Sequence, residues 1–414
     1  MNTSTTPRSL YGLVAWIHVV LGAALAIQGP ALPQIRTSFG LSLVGVSWLF
    51  PAMSLGHLLG VLGSSGSAAT IRRRVVIVVG TATLTTGFAG IGGAPHWGMA
   101  LAAGLVLGLG FGCVDVALNA AVGDGILQPQ AKARALNVLH AFFSAGTLLG
   151  PLLWAWSIER GATWRQAHWL AAILLTPGLL AALGVRFPAA SPHPARRPPG
   201  WRILLADRYL RWLALMMLLY VGVEVGIAAW LTTYMIELHG ASPATSARAT
   251  AAFWGALLVG RLAAAGLIGR WSARRVLLAS MIGAVAALLV AIGTESGSVA
   301  TAAFALAGFC VAGVFPTVVA EAQARYPLHS GPSTALLIGS ASVGWLVLPW
   351  LMGMAGELWG LGATMIGAAV TASAMLATGF RALPTSYASG GSPAAGRAGK
   401  HLVTSTGRSG SARR

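Results

Sequence analysis

The sequence predicts an all-α membrane protein, with twelve transmembrane helices in two pseudo-symmetric six-helix bundles. Three observations predict it. Of 414 residues, 56% are hydrophobic and 9% charged, with a mean hydropathy of +0.74, whereas soluble domains carry about 25% charged residues. The chain divides into twelve apolar stretches of about 20 residues, the length that crosses a bilayer as a helix. One long polar segment, 186–209, rich in proline and arginine, separates six stretches from six.

Taken in order, the first span, 11–32, follows Arg8 and holds no Asp, Glu, Lys or Arg. It lacks a small-residue cleavage site and exceeds the apolar core of a signal peptide, so it reads as a retained helix. The second, 42–63, is again uncharged, and the third, 75–94, follows the basic turn Arg72–Arg74. The fourth, 98–122, carries Asp115, and the fifth, 135–157, carries a polar stripe. The sixth is 167–185. After the polar segment come 210–236 with Glu224, 249–269 with Arg261, and 276–294 behind Arg274 and Arg275. The last three are 299–321, 334–356 and 361–380. The expected organisation is therefore a bundle over 1–185, a cytoplasmic linker over 186–209, a bundle over 210–380 and a disordered basic tail over 381–414, too poor in apolar residues to fold.

The formal charge of +18 does not imply nucleic acid, because the basic residues alternate from loop to loop. Of 27 Lys and Arg, all but Arg36, Arg160, Arg165 and Arg248 fall on the side that holds both termini. That asymmetry places the termini in the cytoplasm and the protein in the cytoplasmic membrane; the surplus charge suits lipid headgroups. Tryptophans such as Trp48, Trp97, Trp156 and Trp359 near span ends match the aromatic belts of such proteins. Cys113 and Cys310 lie within spans and make no disulfide framework.

The halves resemble each other. A shift of 198 residues brings Phe111 onto Phe309, Gly146 onto Gly344 and Pro151 onto Pro349, and RRRVV at 72–76 is similar to RRVLL at 274–278. Weak repeats of six spans are expected of a duplicated transporter.

The chemistry concentrates in a few intramembrane polar residues. In GFGCVDVALNA, Asp115 and Asn119 lie one helical turn apart, on a stripe with Gly104, Gly108 and Gly112. A carboxylate at this depth costs roughly 2.5–3.5 kcal/mol to insert, so Asp115 either faces a polar cavity or is a neutral, hydrogen-bonded residue on a packing face. The fifth span aligns Asn137, His140, Ser144, Thr147 and Pro151; the seventh holds Glu224, with Tyr220 one turn before it. No arginine is expected at the depth of Glu224, which makes Asp115 and Glu224 the candidate proton carriers. His18 and Gln28 on the first span either line the same cavity or satisfy helix packing. Asn119, Asn137, His140, Tyr220, Trp230, Tyr234, Trp254 and Trp345 are candidate solute contacts. The acids near span ends, including Glu159, Glu237, Glu321 and Glu357, read as solvated, with a gate role for Glu321 as the alternative. No HExxH, GxSxG, CxxC pair or nucleotide-binding loop occurs, so neither an enzyme, a metal nor a cofactor is expected.

These residues resemble the major facilitator superfamily, and within it the fucose-permease-like sugar:proton symporters. Gly112, Cys113, Val114, Asp115, Ala117 and Asn119 are similar to that branch's fourth-helix pattern G-C-[LV]-[ED]-x-A-x-N, and LNVLHAFFSAGTLLGP to its fifth-helix pattern. Further matches are YVGVEVGIAAWLTTY, FWGALLVGRL and FPTVVAEAQARYP. The resemblance implies that Asp115 serves sugar recognition and coupling. The branch's first-helix acid is replaced by Gly29, and its fifth-helix glutamine and asparagine by His140 and Phe143, which moves the second coupling acid to Glu224. The superfamily's basic cytoplasmic turn survives as Arg73, Arg74, Arg274 and Arg275, which with Arg261 are candidate gate residues. The GxxxGP of Gly146, Gly150 and Pro151 resembles the antiporter motif of drug exporters, or is a plain packing seam.

The expected function is proton-coupled symport of a sugar-like solute by a monomer, with membrane lipids as further partners. The alternatives are proton-driven efflux of amphipathic compounds and, in another class, a non-transporting sensor.

Overall fold

The computed structural model describes residues 8–64, 70–124, 129–185, 187, 206–268, 270–326 and 329–382. The tail beyond 382 and most of the central linker lie outside the described residues. Among those described, twelve helices are long and apolar enough to cross a membrane. They are Ser9–Ala26, Leu43–Ser64, Arg73–Gly93, Trp97–Val122, Val138–Ile158, Trp164–Gly184, Arg208–His239, Pro243–Leu267, Ala273–Gly293, Gly297–Arg325, Pro332–Trp359 and Gly362–Ala382. Each overlaps the span expected from sequence.

Three spans are broken, and proline explains where. The first is Arg8–Ala26 followed by Gln28–Phe39, the second Leu43–Ser47 followed by Leu49–Ser64, and the tenth Gly297–Val311 followed by Val314–Arg325. Pro30, Pro51 and Pro316 have no N–H for the carbonyl four residues earlier, at Ala26, Ser47 and Ala312. Each break falls at or beside that carbonyl. Pro151, Pro177 and Pro349, by contrast, lie inside continuous helices.

Helix packing repeats between the halves. The first span packs on the fifth and sixth, the second on the fourth, and the third on the fourth and sixth; likewise the seventh packs on the eleventh and twelfth, the eighth on the tenth, and the ninth on the tenth and twelfth. Glycines let the backbones close. A Cβ on Gly60 would stand 2.3 Å from the Leu109 carbonyl oxygen, and one on Gly260 2.2 Å from that of Phe309. Gly146 meets the Val19 oxygen at 2.2 Å, and Gly344 the Leu218 oxygen at 2.1 Å, by the same construction. The left-handed glycines pair too: Gly40 (φ 62°) ends the first span and Gly240 (φ 61°) the seventh, while Gly161 (φ 80°) and Gly360 (φ 88°) turn the chain into the sixth and twelfth. Duplication, suggested by a few aligned residues, is thus written into the contacts.

The halves meet along three seams: fifth span on eighth, second on eleventh, and first on seventh. The first two exchange under the repeat, as two-fold pseudo-symmetry requires. Between these seams lies the mid-membrane region that carries the polar residues.

Candidate functional site

On the fourth span, Asn119 Nδ2 donates to the Asp115 backbone oxygen at 2.8 Å and to Asp115 Oδ1 at 2.9 Å. Both side chains are half-buried. Asn119 thus fixes the carboxylate rotamer. Among the described residues no lysine or arginine pairs with Asp115. Its charge is felt at three imidazoles: His18 of the first span, His57 of the second and His140 of the fifth. His18 Nδ1 lies 2.9 Å from the Val14 carbonyl oxygen, so that nitrogen carries a hydrogen. The stripe divides here: Gly108 and Gly112 press on the backbone oxygens of Met53 and His57 in the second span, serving packing, while the acid and amide lie beyond them.

The second acid is not isolated. Arg261 Nη2 stands 3.2 Å from Glu224 Oε1 and 3.5 Å from the Tyr220 hydroxyl, and its Nη1 donates to Ser144 Oγ at 3.1 Å. The expectation of no arginine at this depth is therefore corrected. Arg261 looked like a cytoplasmic-end charge from its place in the span, but a long guanidinium stem reaches along the helix to a carboxylate. It belongs to this centre, and it crosses the fifth–eighth seam. Ser144 Oγ in turn donates to the His140 oxygen at 3.0 Å, and the Arg261 charge is felt at His140. A chain of polar groups thus runs from Ser144 of the fifth span through Arg261 to Glu224 and Tyr220 of the seventh.

Aromatic rings line the other seam. The His57 ring centroid is 4.6 Å from Phe111 and 5.6 Å from Trp345, and Phe111 is 6.0 Å from Trp345. This triad joins the second, fourth and eleventh spans, with Phe111 one turn before Asp115. Nearby, Ser54 Oγ donates to the Ser342 oxygen at 2.9 Å. His57 was missed by sequence reading; its offset of four from Met53 places it on the glycine-rich seam, where only the tertiary contact with Trp345 gives it meaning. Its Nδ1 is buried without a hydrogen-bond partner among the described residues, as is Nε1 of Trp254 on the eighth span.

Other expected contacts are elsewhere. Gln28 Nε2 donates to the Ala24 oxygen, and Gln28 Oε1 lies 3.2 Å from Nε2 of the fully buried His168, itself 2.7 Å from the Trp164 oxygen through Nδ1. Gln28 is a packing residue of the first and sixth spans. Trp230 is fully buried and donates to the Pro349 oxygen at 2.9 Å; Tyr234 packs edge-on against Phe304. Gly146 and Gly150 close on the Val19 and Ala23 oxygens of the first span, with Pro151 buried beside them, so this motif forms a packing seam. Asn137 lies on a helix, but its side chain is outside the described set. Arg73 is buried whereas Arg74 and Arg275 are exposed; with Arg274 they start the third and ninth spans.

Acids read as solvated instead bridge the halves. Arg36 Nη1 pairs with Glu237 Oε1 at 2.6 Å, Arg248 Nη2 with Glu159 Oε1 at 2.5 Å, and the Leu43 N–H donates to Glu357 Oε2 at 2.7 Å. All three bridges lie at the arginine-poor end. Glu321, at the opposite end, accepts from the Tyr209 hydroxyl at 2.7 Å.

Two like halves of six spans thus meet around a polar mid-membrane centre. The sequence profile of the Major Facilitator Superfamily matches residues 14–264, and the chain belongs to that family. Among its relatives, yeast "Bypass of stop codon protein 6" is 22% identical over 306 residues, 63% of this chain and 58% of that protein. "Multidrug resistance protein Stp" of Mycobacterium tuberculosis is 31% identical over 137 residues, 31% of this chain and 26% of that protein. A "Putative glucose/galactose transporter" of Helicobacter pylori is 26% identical over 296 residues, 67% of this chain and 72% of that protein. The alignments thus span 58% and 26% of the first two relatives. Solved structures with the same fold include a bacterial homologue of the human lysosomal transporter Spinster (TM-score 0.74, 16% identity, 90% and 96% of the two chains). The nucleoside transporter NupG gives a TM-score of 0.76 at 9% identity over 91% and 100%. The Escherichia coli fucose:proton symporter gives 0.62 at 17% identity over 91% and 100%.

Proposed function

We propose that this chain is a proton-coupled secondary transporter of a small organic solute, with Asp115 as the proton-carrying group. One observation carries the reading: of the two deep acids, Glu224 is paired with Arg261, while Asp115 is held only by Asn119 among the described residues. A carboxylate without a counter-charge is too costly to occlude in a membrane unless it takes up a proton or a cation. Glu224, the other expected carrier, acts instead as the counter-charge of Arg261. In this reading the bundle over 1–185 rocks against that over 210–380 about the linker, both termini lie in the cytoplasm, and the monomer works within surrounding lipid.

Two solute classes meet this geometry. A sugar-like polyol, transported by symport, is supported by the names of the Helicobacter pylori and related proteins and by the amide and carboxylate of Asn119 and Asp115, groups that hydrogen-bond hydroxyls. Efflux of an amphipathic compound is supported by the aromatic triad beside Asp115.

The test is transport in proteoliposomes with an imposed pH gradient, using wild type and Asp115→Asn. Gradient-driven movement of galactose or of an organic amine is expected for wild type and absent from the variant, with equal protein insertion. Equal gradient-driven transport by both proteins would remove Asp115 from coupling.

A further inference from the structure

We propose that a groove on the hairpin of the fifth and sixth spans holds an anionic phospholipid, with Arg160 on its phosphate and an acyl chain along the sixth span. The groove has a volume of about 520 Å³ and lies at the arginine-poor end of the membrane-spanning region.

The charge comes first. Of the arginines at this end, Arg36 is committed to Glu237, Arg248 to Glu159, and Arg165 to the Gly92 and Ala94 oxygens at 3.1 and 2.7 Å. Arg160 pairs with no carboxylate among the described residues. Its Nη1 donates to the Trp156 oxygen at 2.9 Å, and its guanidinium carbon stands 3.9 Å from the centre of the Trp156 ring, so the group is held where it lines the groove. The remaining N–H donors of that fork suit a phosphodiester, which takes two parallel bonds from a guanidinium. The adjacent Glu159 is neutralised by Arg248 and repels no anion.

The wall beside Arg160 is mostly apolar and runs into the membrane. Gln166, Trp169, Leu170 and Ile173 line the groove from one face of the sixth span, over a length of about 10 Å. Leu170 and Ile173 are 52% and 62% exposed. Gln166 Oε1 already accepts from the Thr163 N–H at 2.8 Å, so the amide nitrogen is the donor that Gln166 has left for a headgroup. A free inorganic anion gains nothing from an apolar wall two turns long, whereas a phospholipid carries phosphate and acyl chain on one molecule. A headgroup with an ammonium of its own brings no net charge to match Arg160, so the site favours the anionic class.

The repeat provides a comparison within the molecule. Arg160 precedes the left-handed Gly161 at the turn into the sixth span, and Trp359 precedes the left-handed Gly360 at the turn into the twelfth. Aligned on these glycines, Trp169, Leu170 and Ile173 correspond to Ala368, Ala369 and Ala372, all buried. Neither the cation nor the exposed wall is reproduced in the second half, so its hairpin serves as the control.

The experiment places the full chain in phosphatidylcholine nanodiscs that contain a small share of phosphatidylglycerol or phosphatidylcholine with a diazirine on its acyl chain. Photolysis and peptide mass spectrometry then read the labelling of 166–173 against that of Ile366 and Val370, which are exposed on the twelfth span. Phosphatidylglycerol should label the groove about fivefold more than phosphatidylcholine at equal mole fraction, the weight of one arginine near an anionic headgroup. Arg160→Gln should remove that excess and Arg160→Lys should keep most of it; melting temperature confirms that each variant folds. Equal labelling by the two lipids in wild type, or an excess unchanged in Arg160→Gln, overturns the proposal. So does displacement of the labelled lipid by excess glycerol phosphate, which would make this a site for a free anion. Protection of the segment from both lipids in a dimeric particle would seat a second copy there and overturn it as well.

Discussion

Arg261 and Glu224 form an ion pair at 3.2 Å in the middle of the membrane-spanning region, and the same guanidinium reaches Ser144 of the opposite half. One side chain thus neutralises an acid of its own half and ties the two halves together. Removing the cation leaves the carboxylate of Glu224, a residue 8% exposed, without a counter-charge.

Arg261→Ala should therefore destabilise the protein by about 2–3 kcal/mol, below the ~3–5 kcal/mol of a fully buried pair because the Arg261 side chain is 30% exposed. Arg261→Leu combined with Glu224→Leu should recover most of that loss, since no lone charge remains. Thermal unfolding in detergent measures both; a double variant less stable than Arg261→Ala would contradict the pairing.

Asn119→Ala removes both hydrogen bonds that hold the Asp115 carboxylate. Proton-driven transport should fall at least tenfold while the amount of folded protein in the membrane stays the same. Unaltered transport would show that Asp115 needs no fixed rotamer.

Glycine substitutions separate seam from surface. A Cβ on Gly108 would stand 1.9 Å from the Met53 oxygen, whereas Gly12 has nothing within 4 Å. Gly108→Ala should lower the melting temperature strongly. Gly12→Ala should raise stability by up to about 1 kcal/mol, because alanine restricts the unfolded chain and favours helix. Similar melting temperatures for the two variants would contradict the second–fourth packing.

The bridges Arg36–Glu237 and Arg248–Glu159 are exposed, and each is worth about 0.2–1 kcal/mol. Replacing both arginines with alanine should remove about 0.4–2 kcal/mol from the form closed at the arginine-poor end, at least about a twofold change in a two-state population. Spin labels at Ser38 and Leu238 should report a longer distance in the variant, and high salt should lengthen it in wild type by screening the same pairs. An unchanged distance distribution would show that helix packing alone holds this end.

Much was legible because a bilayer imposes strict rules. Apolar length marked all twelve spans, and Asp115 with Asn119 stood out because charge is rare at that depth. Breaks at Ile27, Trp48 and Ala312 to Gly313 were implicit in Pro30, Pro51 and Pro316, though proline alone did not separate them from the unbroken helices around Pro151, Pro177 and Pro349. Glycine spacing marked close approach without saying to what: Gly146 and Gly150 proved to be a seam with the first span.

The sequence by itself determined the helices, their number, the like halves and the deep acids, since these follow from hydropathy and spacing along one dimension. Only the tertiary structure decided which charges meet. Arg261 reaches Glu224 and Ser144, His57 gathers Phe111 and Trp345, and Gln28 turns away to His168, because a side chain's partner is set by the rotation and depth of neighbouring helices. Spacing along a single helix does not encode either quantity.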